Sequence, residues 1–362
     1  MLKFIHIADV HIGAKPDIEK SWSEIRSEEL ITAFDNIIDV CRTQDADLLL
    51  IAGDLFNASP TLPQLRLIDA KLKKLRGTRT VIVAGSSDPI TPDSAWARFE
   101  FSSDTTVLPP DTVSNAYFDD INVCVTGISY GKETYDERML EHLTPGREGA
   151  FNILLGYGGS KGRMPFSSEK LKSAGFDYIA LGNVHKPTVV EENEIIFAGS
   201  LEPLSVEEKG QHGYVYGTFV AGNDKVAPEK EITFIPCCMR CYIDATVKIA
   251  SDMTTEAIHE AVLETIRKYG VQHIYTLRIE GFKNKDATVS ISDIMRDYLI
   301  FSVDDVTKYA YDIAELKREN EGSILPELID ALRGEEEDEE PDGIKEHAVR
   351  YGLLALLRTG DN

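Results

Sequence analysis

The first 236 residues alternate short apolar runs with longer mixed segments. The apolar runs have the length of β-strands and predict strands at 3–7, 47–52, 80–83, 121–126, 151–155, 178–181, 194–198, 214–220 and 232–235. Apolar residues at helical spacing predict helices at 23–41 and 63–75, the second with a proline in its first turn. Early β-α-β order followed by a run of strands predicts a sheet-rich α/β sandwich.

Polar residues stand where several of these strands end. Asp9, Asp54, Ser86 and Asn183 each follow the C-terminal end of an apolar run. In layered α/β folds, ligands and metals collect at that edge of the sheet. Asp9 and His11 are two residues apart, so an extended backbone would direct both side chains the same way. Mixed carboxylate and imidazole ligands suit manganese, iron or zinc better than calcium or magnesium, and the pattern predicts such a metal site.

The pattern changes after about residue 240. Apolar spacing there predicts a small α+β unit, with strands at 242–249, 273–280 and 298–303 and a helix at 254–269. Two further helices are predicted at 312–333 and 344–358, separated by the acidic run EEEDEEPD at 335–342, which like-charge repulsion keeps solvated. We therefore predict three parts, at 1–236, 237–311 and 312–362.

Composition narrows the functional classes. The 362 residues are 43% hydrophobic and 27% charged, which indicates a globular protein. The apolar runs are far shorter than the ~20 residues that cross a bilayer, and the N-terminus lacks the pattern of a secretory signal. We therefore expect a cytoplasmic protein that does not contact membranes. The net charge of −23 argues against a nucleic-acid binder that works by bulk charge alone.

Three of the five cysteines are clustered, as Cys237, Cys238 and Cys241. The C-C-x-x-C spacing could form half of a zinc site or a redox pair. Structural zinc needs four ligands, however, and the sequence has no second CxxC or paired HxxxH after this cluster. We therefore interpret it as a linker that enters the strand at 242–249.

Four short motifs, in the order ADVHIG, AGDLFN, GSSDP and LGNVHKP, carry a family resemblance. Together with AGSLEP and HGYVYG they resemble the motifs of calcineurin-like metallophosphoesterases, specifically the DNA-repair nuclease subunits of the SbcD and YhaO type. GSSDP is similar to an altered form of that family's GNHDP, and LGNVHKP to an altered form of its LGHIHKP. The resemblance is dense over about residues 1–236. It implies an α/β fold, a four-layer metallophosphoesterase sandwich of two β-sheets flanked by helices, with a small α+β capping domain and C-terminal helices.

The resemblance also implies a two-metal site, usually with manganese (Mn2+), that activates water for attack on a phosphodiester. Carried over position by position, the first metal would be bound by Asp9, His11, Asp54 and His185, all of which are present. The second metal would share Asp54. Its three other ligand positions are changed, and read Ser86, Tyr157 and Asn183.

The residue that would donate a proton to the leaving oxygen is changed as well. The family has a histidine there, and this chain has Ser87, which leaves Asp88 no histidine to orient. A serine hydroxyl with an ordinary pKa does not act as a general acid near neutral pH. We therefore predict a one-metal pseudonuclease, with impaired or lost phosphodiesterase activity and no catalytic residue that can be assigned. Two alternatives remain open: an active manganese-dependent DNA nuclease with a rearranged site, and a small-molecule phosphodiesterase.

The resemblance extends to partners. Lys161, Arg163 and Lys186 would border the site and contact a DNA backbone, the alternative being solvated loop charges. In this family the C-terminal helices bind the coiled-coil base of an SbcC-like ATPase. The apolar helix predicted at 344–358 would either bind that partner or pack on its own core. A homodimer is also left open.

Overall fold

The computed structural model describes residues 1–222, 227–284, 287, 291–292, 294–310, 313–333, 349 and 351–353. The chain divides into two compact units. The first comprises Met1–Ala245, Ile266–Leu277 and Ser292–Val303, and the second Thr246–Thr265, Arg278–Ile291 and Asp304–Asn362. The limits 1–236, 237–311 and 312–362 stay predictions.

The first sheet has six strands in the order β12-β11-β1-β2-β3-β4. Their bounds are β1 Leu2–Ile7, β2 Leu48–Ala52, β3 Arg79–Val83, β4 Thr105–Val107, β11 Gly213–Val220 and β12 Glu229–Pro236. Strands β1 to β4 are parallel to one another, whereas β11 pairs antiparallel with both β1 and β12. Because β1 and β2 are parallel, their C-terminal ends lie at the same edge of the sheet.

The second sheet also has six strands, in the order β5-β6-β7-β8-β10-β9. Their bounds are β5 Ser114–Phe118, β6 Val123–Gly127, β7 Phe151–Tyr157, β8 Tyr178–Gly182, β9 Thr188–Glu191 and β10 Ile195–Phe197. The central strands β6, β7, β8 and β10 are parallel, and the edge strands β5 and β9 are antiparallel to their neighbours.

Three apolar layers hold this part of the chain together. The two sheets face each other through side chains such as Phe4, Leu50 and Leu155. The outer face of the first sheet is covered by two helices, α1 Ser23–Thr43 and α2 Leu62–Leu72. The outer face of the second sheet packs against a 3₁₀ turn at Met139–His142 and the short helix α3 Ser168–Ser173. The predicted α/β sandwich of two sheets flanked by helices is confirmed.

Helix α2 shows how local sequence sets an element's limits. It begins at a capping box, in which the Thr61 hydroxyl accepts from the backbone N–H of Gln64 and the Gln64 side chain accepts from that of Thr61. It ends at Leu72, three residues before the predicted end, because Lys74 and Leu75 donate to carbonyls only three residues back and so form tighter turns.

The remaining elements are β13 Tyr242–Ile249, α4 Thr255–Tyr269, β14 Ile274–Lys283, α5 Ile294–Asp297, β15 Ile300–Asp305, β16 Lys308–Tyr309, α6 Ile313–Glu319 and α7 Ile324–Arg333. Strands β13, β14 and β15 form a third sheet, with β16 beside β14. The cysteine cluster lies in the connection from β12 to β13, as expected of a linker. The single helix predicted at 312–333 is instead two helices, because the chain turns between them at Gly322, which has a positive φ of 87°.

The C-terminal predictions fall largely outside the described residues. The acidic run at 335–342 lies wholly outside them, as does most of the helix predicted at 344–358. Of that helix, Val349 and Leu353 are described, and both are buried against Leu316, Leu325 and Ile329 within the second unit. Among the described helices, none is both long and apolar enough to cross a membrane.

Candidate metal centre

The site lies where three strands end. Asp9 and His11 follow β1, Asp54 follows β2, and His185 follows β8 of the opposite sheet. Two backbone bonds join the first two loops, from Asp9 N–H to the Gly53 carbonyl at 3.1 Å and from His11 N–H to the Asp54 carbonyl at 3.0 Å. The φ angles of Asp9, His11 and Asp54 are 50°, 50° and 47°, a region that L-residues seldom adopt and that is concentrated at functional sites.

Asp9, His11 and His185 form a compact cluster of metal-ligating atoms. One ligand atom from each lies within 4.8 Å of the others. The Nε2 atoms of His11 and His185 are 3.3 Å apart. Asp9 Oδ1 is 4.0 Å from His11 Nε2 and 3.7 Å from His185 Nε2. Asp9 is fully buried, which raises its pKa to about 7 although the charge of His185 opposes the shift. Two imidazole nitrogens around a buried carboxylate fit a divalent transition metal.

Glu208 fixes the orientation of His185. Its Oε1 is 2.8 Å from His185 Nδ1, and its Oε2 accepts from the backbone N–H of Leu204 at 2.8 Å. Burial opposes the charged form of His185, but the hydrogen bond to Glu208 and the charge of Asp9 raise its pKa to about 9. A carboxylate at Nδ1 directs the Nε2 lone pair of a neutral ring towards a metal and makes it more basic. Sequence reasoning missed Glu208.

Replacing Glu208 by glutamine is expected to weaken Mn2+ binding about 10- to 100-fold, the usual cost of losing such a supporting carboxylate. The amide removes the negative charge beside His185 and puts an NH2 group where one carboxylate oxygen now accepts from Leu204. Calorimetric titration of the full chain measures the effect. Glu207→Gln is the matched control, because the neighbouring Glu207 side chain is exposed. Equal affinities for the two variants would contradict the role of Glu208.

His212, a further histidine in the same region, lies outside the cluster. Its Nδ1 is 2.8 Å from Ser200 Oγ, and its Nε2 is 3.2 Å from the Glu208 carbonyl oxygen. His212 is fully buried. It therefore supports the loop that carries Glu208.

Asp54 lies beside the cluster but is bonded elsewhere. Its Oδ2 is 3.7 Å from His11 Nε2. The same oxygen accepts from Ser87 Oγ and from the Tyr157 hydroxyl, both at 2.7 Å, while Oδ1 accepts from the Ser87 backbone N–H at 2.8 Å. The structure thus brings together three of the four predicted first-metal ligands and places the fourth next to His11. The ligand assignment itself stays a prediction.

Of the three predicted second-metal positions, Tyr157 donates a hydrogen bond to Asp54, whereas Ser86 and Asn183 bond to other groups. Tyr157 is buried, and its hydroxyl is 3.2 Å from Ser86 Oγ. Burial raises the pKa of Tyr157 far above its ordinary value, so the hydroxyl keeps its proton. The side-chain amide of Asn183 donates away from Asp54, to the Gly158 carbonyl at 3.0 Å and to Ser160 Oγ at 3.2 Å. The backbone N–H of Asn183 donates to Asp9.

Asp88 has a structural partner in place of a histidine. One carboxylate oxygen accepts from the Gly85 backbone N–H at 2.8 Å and the other from that of Phe56 at 3.1 Å. Burial and the charge of Asp54 raise the pKa of Asp88 to about 8. The residue therefore ties the loop after β3 to the loop after β2.

The three predicted DNA-contacting side chains, Lys161, Arg163 and Lys186, are all exposed. Arg163 is joined to the site, because its Nε donates to Ser86 Oγ at 3.1 Å. Lys161 precedes it on the loop between β7 and α3, and Lys186 follows His185.

Comparison with known proteins gives a consistent result. Residues 2–187 match the calcineurin-like phosphoesterase family. YhaO of Bacillus subtilis, described as an uncharacterized metallophosphoesterase, is 25% identical over 232 residues, which cover 59% of this chain and 56% of the relative. The DNA double-strand break repair protein Mre11 of Methanopyrus kandleri is 29% identical over 238 residues, covering 58% of this chain and 52% of the relative. The chain thus spans about half the length of these curated relatives.

Proposed function

Because the chain belongs to the calcineurin-like phosphoesterase family, we propose that it is an SbcD-like DNA-repair subunit that binds one manganese ion and has little or no phosphodiesterase activity. It acts in the cytoplasm on DNA ends, together with an SbcC-like ATPase. The Mre11 relative, whose name states double-strand break repair, supports the link to DNA.

The bonding of Asp54 carries this proposal. An ion bridging Asp54 to the second-metal positions would have to displace hydrogen bonds from Ser87 and Tyr157. In return it would find the hydroxyls of Ser86 and Tyr157 and the amide of Asn183, which bind a transition metal less well than imidazole does. The present arrangement satisfies the carboxylate of Asp54 without a second cation.

The half of the site formed by Asp9, His11 and His185 supports the binding of one ion. Asp9 and His11 supply a carboxylate oxygen and an imidazole nitrogen from one strand end, and His185, oriented by Glu208, supplies the third atom. A single bound divalent ion offers binding and polarisation of a phosphate oxygen.

Proton donation to a leaving group is the second missing component. Ser87 stands at the position of the proton donor, and its hydroxyl proton is already donated to Asp54. General acid catalysis contributes roughly 10²–10⁴-fold to such reactions. Losing it together with the second metal leaves a site suited to holding a phosphate rather than to cleaving a phosphodiester.

Exposed apolar side chains in the second unit support the proposal that the chain binds a partner protein. Ile324 of α7 and Tyr351 expose 70% and 67% of their surface. Apolar side chains exposed on helices are a common feature of surfaces that bind a partner helix. We propose that these C-terminal helices bind the coiled-coil base of the ATPase. A coiled-coil ATPase encoded in the adjacent gene would separate this complex from the small-molecule phosphodiesterase.

Metal stoichiometry and cleavage test this function together. The full chain is titrated with Mn2+ by calorimetry and then incubated with linear duplex DNA, alongside the variants Asp9→Asn and Asp54→Ala. We expect about one ion per chain, loss of that binding in Asp9→Asn, and no cleavage. Two ions with cleavage that depends on Asp54 would instead establish the active nuclease. Hydrolysis of a small phosphodiester without binding of DNA would establish the small-molecule enzyme.

A further inference from the structure

The loop after β7 brings the Arg163 side chain into hydrogen-bond contact with Ser86, one of the predicted second-metal positions. We propose that the Arg163 guanidinium takes over the second metal's contact with substrate and binds a backbone phosphate of DNA beside the Asp9, His11 and His185 cluster. This inference rests on the proposed function, because it names the group that holds DNA at the altered site.

A directed chain of hydrogen bonds connects Arg163 to Asp54. Arg163 Nε donates to Ser86 Oγ at 3.1 Å, Ser86 Oγ is 3.2 Å from the Tyr157 hydroxyl, and that hydroxyl donates to Asp54 at 2.7 Å. Tyr157 gives its only proton to Asp54, so Ser86 must donate to Tyr157 and accept from Arg163. Every donor and acceptor along the chain is matched, from the cation to the carboxylate.

This series of hydrogen bonds uses only one N–H group of the Arg163 guanidinium. The group has five N–H donors in a rigid plane, and the bond from Nε to Ser86 occupies one of them. Within the part of the chain that the structure describes, no carboxylate oxygen lies within 4.0 Å of the Arg163 nitrogens. The terminal nitrogens are therefore available, and their fork matches two oxygens of a phosphate.

The backbone on both sides of Arg163 is held in place. Its N–H donates to the Ser160 carbonyl at 3.0 Å, and its carbonyl accepts from Gly159 at 3.0 Å. The next residue, Met164, is fully buried, and its N–H donates to the Tyr135 carbonyl at 2.9 Å. On this fixed backbone, the bond from Nε to Ser86 limits the positions that the guanidinium can take, which lowers the entropy lost on binding a phosphate.

The charges agree with this role. Asp54 would share its negative charge with two metals in a two-metal site, whereas here it receives neutral donors only. A phosphate brought to this position needs positive charge to offset its own. Arg163 supplies it permanently, since a guanidinium stays protonated in proteins.

Binding of a short single-stranded oligonucleotide to the Mn2+-loaded full chain, measured by fluorescence anisotropy across a salt series, tests the proposal. We expect Arg163→Gln to weaken binding about 10-fold and to lower the slope of log affinity against log salt by about one, as for the loss of one phosphate contact. Arg163→Lys should recover part of the affinity, because it keeps the charge but loses the fork. Ser86→Ala should weaken binding less than Arg163→Gln and leave the slope unchanged, since Ser86 only positions the guanidinium.

Arg42→Gln is the matched control, because it makes the same change of side chain and charge on an exposed residue. Arg42 is in the last turn of α1, which leads to the N-terminal end of β2, away from the site. Equal effects of Arg42→Gln and Arg163→Gln would overturn the proposal, as would an unchanged affinity in Arg163→Gln or no binding by the wild-type chain.

The same variant separates this inference from the proposed function. Arg163→Gln should still bind one Mn2+, because Arg163 contacts none of the three clustered side chains. If the wild-type chain binds two ions and cleaves DNA, the pseudonuclease function fails, whatever the result for Arg163. If one ion binds without cleavage and Arg163→Gln binds the oligonucleotide like the wild type, only the phosphate site fails.

Discussion

Restoring the family residues at four positions is expected to create a working second-metal site. The combined variant Ser86→Asn, Ser87→His, Tyr157→His and Asn183→His should bind two Mn2+ ions per chain instead of one. It should also raise manganese-dependent cleavage of linear duplex DNA by about 10²–10⁴-fold, the contribution expected from a general acid alone. Calorimetry and a gel-based cleavage assay measure the two quantities.

The physical reason lies in the bonds that these substitutions remove. Asp54 loses its donors from the Ser87 and Tyr157 hydroxyls, so one of its oxygens becomes free for a shared ion. Imidazole replaces the Tyr157 hydroxyl and the Asn183 amide, an amide replaces the Ser86 hydroxyl, and transition metals bind imidazole better than a hydroxyl. The Tyr157 ring packs directly on Gly53, where an added Cβ would lie 2.3 Å from the ring. An imidazole ring is smaller than the phenol ring and fits in the same space.

The control is the same four-residue variant carrying Asp9→Asn, which removes a ligand of the first ion and should show no gain in cleavage. Binding of a single ion by the four-residue variant, with no increase in cleavage over the wild type, would contradict the view that these four positions are what the site lacks.

The sandwich was predictable from sequence because its central strands are continuous apolar runs. Strands β1, β2 and β7 are almost wholly buried, so a continuous apolar run in the sequence is enough to locate each of them. Strands β4, β5 and β9 were not predicted. They are edge strands of three to five residues, and most of their side chains are only partly buried, so neither length nor apolar composition marks them.

The candidate site was predictable where it follows a strand, and unpredictable where it depends on tertiary contacts. Asp9, His11 and His185 stand just past apolar runs, which draws attention to them. Glu208 lies in a loop with neighbouring charges, where its sequence resembles any solvated segment. The bond between Arg163 and Ser86 joins residues 77 positions apart, and no local pattern records such a contact.

The second large effect is expected from Gly182→Ala, at the point where the two sheets approach each other. A Cβ at Gly182 would lie 1.9 Å from the Ala52 carbonyl oxygen and 2.9 Å from the Ala8 Cβ. Ala52 ends β2 and Gly182 ends β8, so the overlap can be relieved only by moving backbone. We expect a loss of about 3 kcal/mol or more in the free energy of unfolding, at the upper end for overpacked cores.

This substitution should also abolish Mn2+ binding, because His185 follows Gly182 by three residues while Asp9 follows Ala8 directly. Separating the sheets therefore moves one ligand away from the other two. Gly77→Ala is the control: Gly77 has a positive φ of 88° with nothing within 4 Å of an added Cβ, so it should cost only about 1–2 kcal/mol of backbone strain and leave metal binding intact. Urea unfolding and calorimetry would show the difference. Wild-type Mn2+ affinity in Gly182→Ala would contradict this prediction. It would mean that the three ligands converge without the close approach of β2 and β8.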